Sequence, residues 1–152
     1  MSSTIDRNRY SAMQLEGSSP TDARLAWVIS CWPVIEPYFR YEIAKEKGNT
    51  ELMEKHHMFF QGDEAMHEST PLNVIQRGEK LTLSPVLVLH GTADDVMPIE
   101  ASERFVSAYN GAGGNAQLVP FHGMGHGWAR EAGLEVDEFV KVVTEFISKQ
   151  LD

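Results

Sequence analysis

Residues 85–98 read P-V-L-V-L-H-G-T-A-D-D-V-M-P, an uninterrupted apolar run that passes into a polar turn. The run at 86–89 is too short for a helix and is typical of a parallel strand buried on both faces. In the turn, Gly91 can adopt a backbone conformation that other residues avoid, and Pro98 can open the next helix. The turn therefore holds Asp94 at the carboxyl end of a buried strand, where open α/β sheets place their ligands and their chemistry.

A second motif, H-G-M-G-H-G-W at residues 122–128, places His126 between two glycines. The glycines leave its imidazole uncrowded, and a carboxylate at the end of the neighbouring strand can accept the Nδ1 proton. The other ring nitrogen is then available as a base. The sequence therefore predicts that Asp94 and His126 lie within hydrogen-bond distance, roughly 2.6–3.2 Å.

Together the two motifs resemble the last third of an α/β-hydrolase, in the branch of esterases, lipases and prolyl-oligopeptidase-like peptidases. The resemblance implies that Asp94, through its spacing to Pro98, and His126 are the second and third members of a Ser-Asp-His triad. The chain departs from the family at the front, because no G-x-S-x-G precedes these motifs. It thus resembles the part of the fold that follows the nucleophile.

Other polar residues near the motifs have simpler interpretations. Asp95 is placed to cap the following helix, while the family spacing selects Asp94. In the family, the residue that matches His90 supports the turn. His122 and His126 have the H-x-x-x-H spacing of a helical zinc site, but the glycines among them argue against a helix, so neither a metal nor a cofactor is expected.

No serine stands in the strand-to-helix turn that a nucleophile needs. Ser18 and Ser19 lack a convincing strand before them and a second glycine after them, and Ser30 lies inside a strand. A histidine–aspartate pair alone gives only weak general-base help, so the isolated chain is expected to show negligible esterase activity.

Length and composition favour one domain over all 152 residues, with a net charge of −9 and a single cysteine, Cys31. The negative charge disfavours nucleic acid as a partner, and one cysteine rules out an internal disulfide. No apolar run reaches the length of a membrane span, and residues 1–10 lack the apolar region of a signal peptide. We therefore expect a cytoplasmic protein with no membrane partner.

For the first part of the chain, the sequence predicts a loosely held N-terminal segment, the lead-in, followed by one strand. Residues 1–20 are polar, with no convincing period, and form the lead-in. Residues 25–32 read L-A-W-V-I-S-C-W and predict a second continuous, buried strand that Pro33 ends. In the fold that the chain resembles, this strand lies beside the strand that leads to the nucleophile.

A helical, cap-like insert is predicted over residues 37–70. Pro37 starts its first helix, Thr50 can cap a second that Gly62 ends, and Asp63 can cap a third. In α/β-hydrolases this excursion often covers the acyl pocket. Four aromatic side chains of the insert are therefore either part of a substrate site or simply its core, and we favour the core: Tyr38, Tyr41, Phe59 and Phe60.

Residues 85–152 form the predicted core that carries Asp94 and His126. After a connection at 71–78 and the central strand, helical spacing predicts a helix over 99–110. A short strand at 116–121 contains Pro120, which confines it to a sheet edge. A last helix over 134–151 carries an apolar stripe made of Val136, Phe139, Val140, Val143, Phe146 and Ile147.

The sequence thus predicts a partial α/β-hydrolase fold: three parallel strands in chain order, flanking helices and a helical insert. The resemblance implies hydrolysis of small-molecule carboxylic esters by a serine acyl-enzyme mechanism without a cofactor, or of peptides as in prolyl oligopeptidases. The alternative from another class is a non-catalytic interaction module derived from a hydrolase. We also expect a homodimer through the edge of strand 25–32, whose ends are Leu25 and Trp32, because that edge carries no charge, proline or glycine that discourages pairing.

Overall fold

A three-stranded parallel sheet forms the centre of the computed structural model, which describes residues 24–79, 81–130 and 132–151. Its strands are β1 (Val28–Cys31), β2 (Val86–Gly91) and β3 (Ala116–Phe121), and they lie in the order β1-β2-β3. The prediction of three parallel strands in chain order is confirmed. The lead-in at 1–20 lies outside the described residues.

Every residue of β2 is buried, as expected for the middle strand of a sheet covered on both faces. Val86 and Val88 face one apolar cluster, which includes Phe105 and Tyr109. Leu87 and Leu89 face the other cluster, in which they pack with the buried side chains of Phe121 and Phe146. Because both clusters pack against β2, the strand from which the next turn starts is fixed in place.

The described part of the chain forms helices on both sides of this sheet. Their bounds are α1 (Pro37–Glu46), α2 (Thr50–Phe60), α3 (Asp63–Ser69), α4 (Pro71–Gln76), α5 (Ile99–Gly111) and α6 (Leu134–Leu151), with a 3-10 turn at Trp128–Arg130. Helices α1 to α4 make up the insert between β1 and β2. Glu36 joins the insert to α5 through a paired ion bridge to Arg104, with N···O distances of 3.0 and 2.9 Å. No helix in the described ranges is both long and apolar enough to cross a membrane.

The strand predicted over residues 25–32 is shorter and less buried than expected. It spans Val28–Cys31, and all four of its residues are only partly buried. Leu25 is 49% exposed, and Trp32 adopts a positive φ of 38°, a conformation that an extended strand cannot continue. The apolar run therefore predicted the strand but not its ends.

Several details of the insert also differ from the prediction. The side chain of Asn49, not Thr50, caps α2 by accepting the N–H of Leu52 at 3.0 Å. Gln61 takes the left-handed conformation that ends α2, and Gly62 precedes α3 as its cap residue in place of Asp63. A fourth helix, α4, lies where a connection was predicted; Pro71 opens it.

The elements after β2 follow the sequence pattern closely. Helix α6 spans the residues predicted for it, and Phe146 of its apolar stripe is buried in the core. The prediction that Val140 belongs to the apolar stripe was wrong, since its side chain is 53% exposed. Val140 follows Phe139 directly, so it lies about a quarter turn away from the packed face of the helix. Pro120 lies in β3 at an edge of the sheet, as predicted.

Candidate active site

Asp94 lies in the turn that follows β2, with its side chain fully buried. Its Oδ1 atom accepts two backbone N–H groups, from Val96 at 2.9 Å and from Met97 at 3.0 Å. These bonds belong to the turn itself, since an aspartate side chain readily accepts N–H groups two and three residues further on. They fix the plane of the carboxylate and leave Oδ2 for another partner.

That partner is His126, in the glycine-rich turn after β3. Its Nδ1 atom lies 2.9 Å from Oδ2 of Asp94, within the predicted range. A carboxylate only accepts hydrogen bonds, so Nδ1 carries the proton and donates it. The Nε2 atom has no protein partner among the described residues, and the side chain is 25% exposed. The arrangement therefore leaves Nε2 available as a base.

The two turns are tied to each other directly. Ala93 donates its N–H to the carbonyl of Met124 at 3.0 Å, and Gly123 donates to the hydroxyl of Thr92 at 2.9 Å. Gly91 permits this approach, because a Cβ atom on it would overlap the Met124 carbonyl. The glycine of the first motif is thus required by the position of the second motif.

The charge state of Asp94 follows from these contacts. Burial alone raises the pKa of a carboxyl group, but the hydrogen bonds from Met97, His126 and Val96 outweigh it, and the pKa of Asp94 lies below its usual value. Asp94 is therefore ionised at neutral pH. Its charge can hold the His126 ring in one orientation and stabilise the ring when it takes up a second proton.

His90 lies beneath this pair, completely buried at the end of β2. Its Nδ1 atom is 2.6 Å from the hydroxyl of Ser102 in α5, and its Nε2 atom is 2.8 Å from the carbonyl of Met97. Nε2 also lies 3.2 Å from Oδ2 of Asp94. His90 has no solvent access and supports the turn, as the sequence predicted.

The remaining candidates near the motifs lie apart from this pair. His122 is exposed, and no cluster of metal-binding side chains occurs in the ranges that the structure covers. Asp95 does not cap α5, so that prediction was wrong: Pro98 holds the cap position, and the carbonyl of Asp95 accepts the ammonium of Lys47 at 3.4 Å. Ser18 and Ser19 lie outside the described residues.

The aromatic residues of the insert divide between core and surface. Tyr41 is buried and stacks on His57 at a ring separation of 4.9 Å. Tyr38 packs over His67 at 3.7 Å. Phe59 is 80% exposed. The interpretation as core of the insert holds for Tyr41 and fails for Phe59.

Sequence reasoning missed Ser102 and Arg40. Ser102 carries no local signal, because its partner His90 belongs to another element. Arg40 projects from α1 into a cleft of about 400 Å³ that it shares with Asp95 and Val96. Burial lowers the pKa of Arg40, and the negative charge of Asp94 partly opposes that effect. Lys47, at the C-terminal cap of α1 and seven residues after Arg40, lines the same cleft, and this spacing of about two turns was the one sign of a shared face in the sequence.

A parallel sheet with flanking helices, with an acid and a base at the carboxyl ends of adjacent strands, is the architecture of the α/β-hydrolases. The model of the prolyl oligopeptidase family matches residues 33–152. The chain belongs to this family, which lies within the serine hydrolases of this fold. A comparison with curated proteins gave no match.

Solved esterase structures from the planctomycete Thermogutta terrifontis are similar to this chain. Esterase 2 with propionate bound has a TM-score of 0.66 at 21% identity, over 97% of this chain and 50% of that one. Esterase 2 phosphoramylated by tabun has a TM-score of 0.60 at 25% identity, over 84% of this chain and 42% of that one. The chain thus spans about half the length of these esterases.

Proposed function

We propose that Asp94 and His126 are the acid and base of a Ser-Asp-His triad, and that the complete enzyme hydrolyses carboxylic esters. The observation that carries this proposal is the 2.9 Å bond between His126 Nδ1 and Asp94 Oδ2, with Oδ1 held by two backbone N–H groups. A histidine oriented in this way, whose Nε2 has no partner among the described residues, is the base that serine nucleophiles use. The serine itself comes from outside the 152 residues, in which no G-x-S-x-G occurs.

The chemistry of the pair follows from its geometry. His126 Nε2 takes the proton of the serine hydroxyl as the oxygen attacks the ester carbonyl, and Asp94 stabilises the imidazolium that forms. The same proton then passes to the leaving alcohol. A water molecule, deprotonated by Nε2, then attacks the acyl-enzyme. Nε2 returns this proton to the serine oxygen as the acid is released. Such general acid–base help is worth about 10²–10⁴ in rate.

Esters are favoured over peptides because the two similar solved structures described above are those of an esterase. Peptide hydrolysis is the second candidate, and the match to the prolyl oligopeptidase family favours it. The third is the interaction module without catalysis, for which the missing serine is the only support. An ester and a peptide substrate assayed side by side separate the first two candidates.

A fusion protein tests the proposal. The part of Thermogutta terrifontis esterase 2 that this chain does not match is joined in frame to this chain, so that it supplies the nucleophile. The fusion should hydrolyse p-nitrophenyl butyrate, whereas the 152-residue chain alone should not exceed the rate of free imidazole. Within the fusion, His126→Ala and Asp94→Asn should remove the activity.

Two matched variants serve as controls. His122→Ala removes an exposed histidine from the same turn, and Asp95→Asn removes the neighbouring exposed carboxylate. Both should retain activity. A folded, active fusion that is indifferent to His126→Ala would contradict the proposal. The DNA that precedes the Met1 codon gives a test without any folding requirement: an in-frame G-x-S-x-G is expected there, and its absence favours the interaction module.

A further inference from the structure

A second histidine, His90, lies on the buried side of the turn that carries Asp94, and both of its ring nitrogens have hydrogen-bond partners. His90 and Ser102 have no exposed surface. The Nε2 atom of His90 faces two acceptors, the Met97 carbonyl at 2.8 Å and Asp94 Oδ2 at 3.2 Å. Neither of these atoms can donate, so Nε2 carries the proton. His90 therefore presents an N–H group to the turn from below.

Ser102 binds the other nitrogen of the His90 ring. With Nε2 protonated, Nδ1 of a neutral His90 is an acceptor, and the Ser102 hydroxyl donates to it over 2.6 Å. A serine within a helix commonly donates to the carbonyl four residues earlier. In α5 the Ser102 hydroxyl is directed to His90 instead. The hydroxyl group thus holds the Nδ1 side of the ring in place, while Nε2 faces Met97 and Asp94.

His90 acts on Asp94 mainly through Met97. The N–H of Met97 donates to Oδ1 of Asp94 at 3.0 Å, while its carbonyl accepts from His90 at 2.8 Å. Met97 is itself fully buried. Met97 is therefore held through its carbonyl by His90, and its N–H in turn holds the carboxylate. In addition, the positive edge of His90 lies against Oδ2, the oxygen that accepts from His126.

We propose that His90, oriented by Ser102, is a positioning residue that keeps Oδ2 of Asp94 directed at His126. The inference rests on the proposed function, which gives the reason for holding the carboxylate, but its test requires no catalysis. The lowered pKa of Asp94 agrees with a carboxylate whose oxygens are all supplied with donors. Within the part of the chain that the structure describes, the charged or titratable groups that act on Asp94 are His90 from β2, His126 from the turn after β3, and Arg40 from α1.

The test is a carboxyl-carbon NMR titration of Asp94 in the intact 152-residue chain. His90→Phe removes the N–H and the acceptor, so the pKa of Asp94 should rise toward its usual value. His90→Gln keeps an N–H that can reach the Met97 carbonyl, and should restore most of the difference. Ser102→Ala removes the bond that holds the Nδ1 side of the His90 ring, and should give an intermediate rise.

Ser84→Ala is the matched control, because Ser84 is a buried serine that bonds to the backbone away from Asp94. It should leave the titration unchanged. If His90→Phe lowers the melting temperature but not the acidity of Asp94, His90 is only a packing residue and the inference is wrong. If His90→Phe does not fold, Ser102→Ala decides in the same way. Because no ester is used, failure of the fusion experiment and failure of this one are distinguishable.

Discussion

Substituting Gly91 with alanine should separate the two turns that carry Asp94 and His126. The new Cβ atom would overlap the backbone carbonyl of Met124, and a backbone atom cannot rotate away as a side chain can. That carbonyl also accepts the N–H of Ala93 at 3.0 Å, so the shift that relieves the overlap breaks this bond. We expect both a loss of stability and a loss of contact between His126 and Asp94.

The magnitude follows from two terms. Overpacking of a well-packed interior costs about 1–3 kcal/mol. Loss of one buried hydrogen bond adds about 1 kcal/mol. The free energy of unfolding should therefore fall by about 2–4 kcal/mol, which at a urea dependence of about 2 kcal/mol per molar lowers the midpoint by roughly 1–2 M. Alanine also fits the backbone angle at this position, since φ of Gly91 is not positive, so the clash is the main cause.

Urea unfolding followed by circular dichroism measures this loss. Gly111→Ala is the matched control, because the Cβ atom it adds at the end of α5 meets nothing within 4 Å and φ there is not positive. It should be neutral or stabilise the chain by up to about 1 kcal/mol. Surface substitutions ordinarily change the free energy of unfolding by no more than about 0.5 kcal/mol. A Gly91→Ala chain whose free energy of unfolding lies that close to the wild-type value would refute the close packing of the two turns.

Three further predictions concern acid stability, a helix cap and assembly. Because folding lowers the pKa of Asp94, the stability that its charge contributes is present above the unfolded pKa of about 3.9 and is lost as the pH falls through the lower folded pKa. Asp94→Asn should therefore lower the free energy of unfolding at pH 7 and make that free energy fall less steeply below pH 4. An equally steep fall below pH 4 in Asp94→Asn would contradict this. Asn49→Ala should cost about 1 kcal/mol in urea unfolding, because the cap of α2 is lost, whereas an equal loss for Thr50→Ala would contradict the cap assignment. The outer edge of β1 pairs with no strand among the described residues, so we propose that two copies join there, and a monomer by light scattering at low micromolar concentration would contradict it.

The sequence could predict what depends on local pattern. The apolar run before Gly91 and the turn after it predicted the central strand and the position of Asp94, since burial on both faces and a required glycine both leave marks in the sequence. Helix α6 was predicted to its ends because its apolar period persists over the 18 residues of the helix. In contrast, α4 has only six residues, too few for a period to be recognised.

What the sequence could not predict depends on contacts between elements. The end of β1 is decided by the positive φ of Trp32, which nothing in the neighbouring residues signals. The pairing of Ser102 with His90 joins a helix to a strand end, and a serine in a helix carries no mark of such a partner. Likewise, Asn49 and Thr50 are both good cap residues, and only the geometry of the turn selects Asn49.

The central claim is that Asp94 holds His126 with the proton on Nδ1, and the tautomer of His126 tests it most directly. Nitrogen-15 NMR of the intact chain should show Nδ1 protonated above the ring's own titration. In Asp94→Asn, two backbone N–H groups already face Oδ1, so the amide oxygen takes that place and the NH₂ group faces His126. Since an NH₂ group cannot accept, the proton should move to Nε2, while Asp95→Asn should leave it on Nδ1. A folded wild-type chain with the proton on Nε2, or one in which Asp94→Asn changes nothing, would contradict the account.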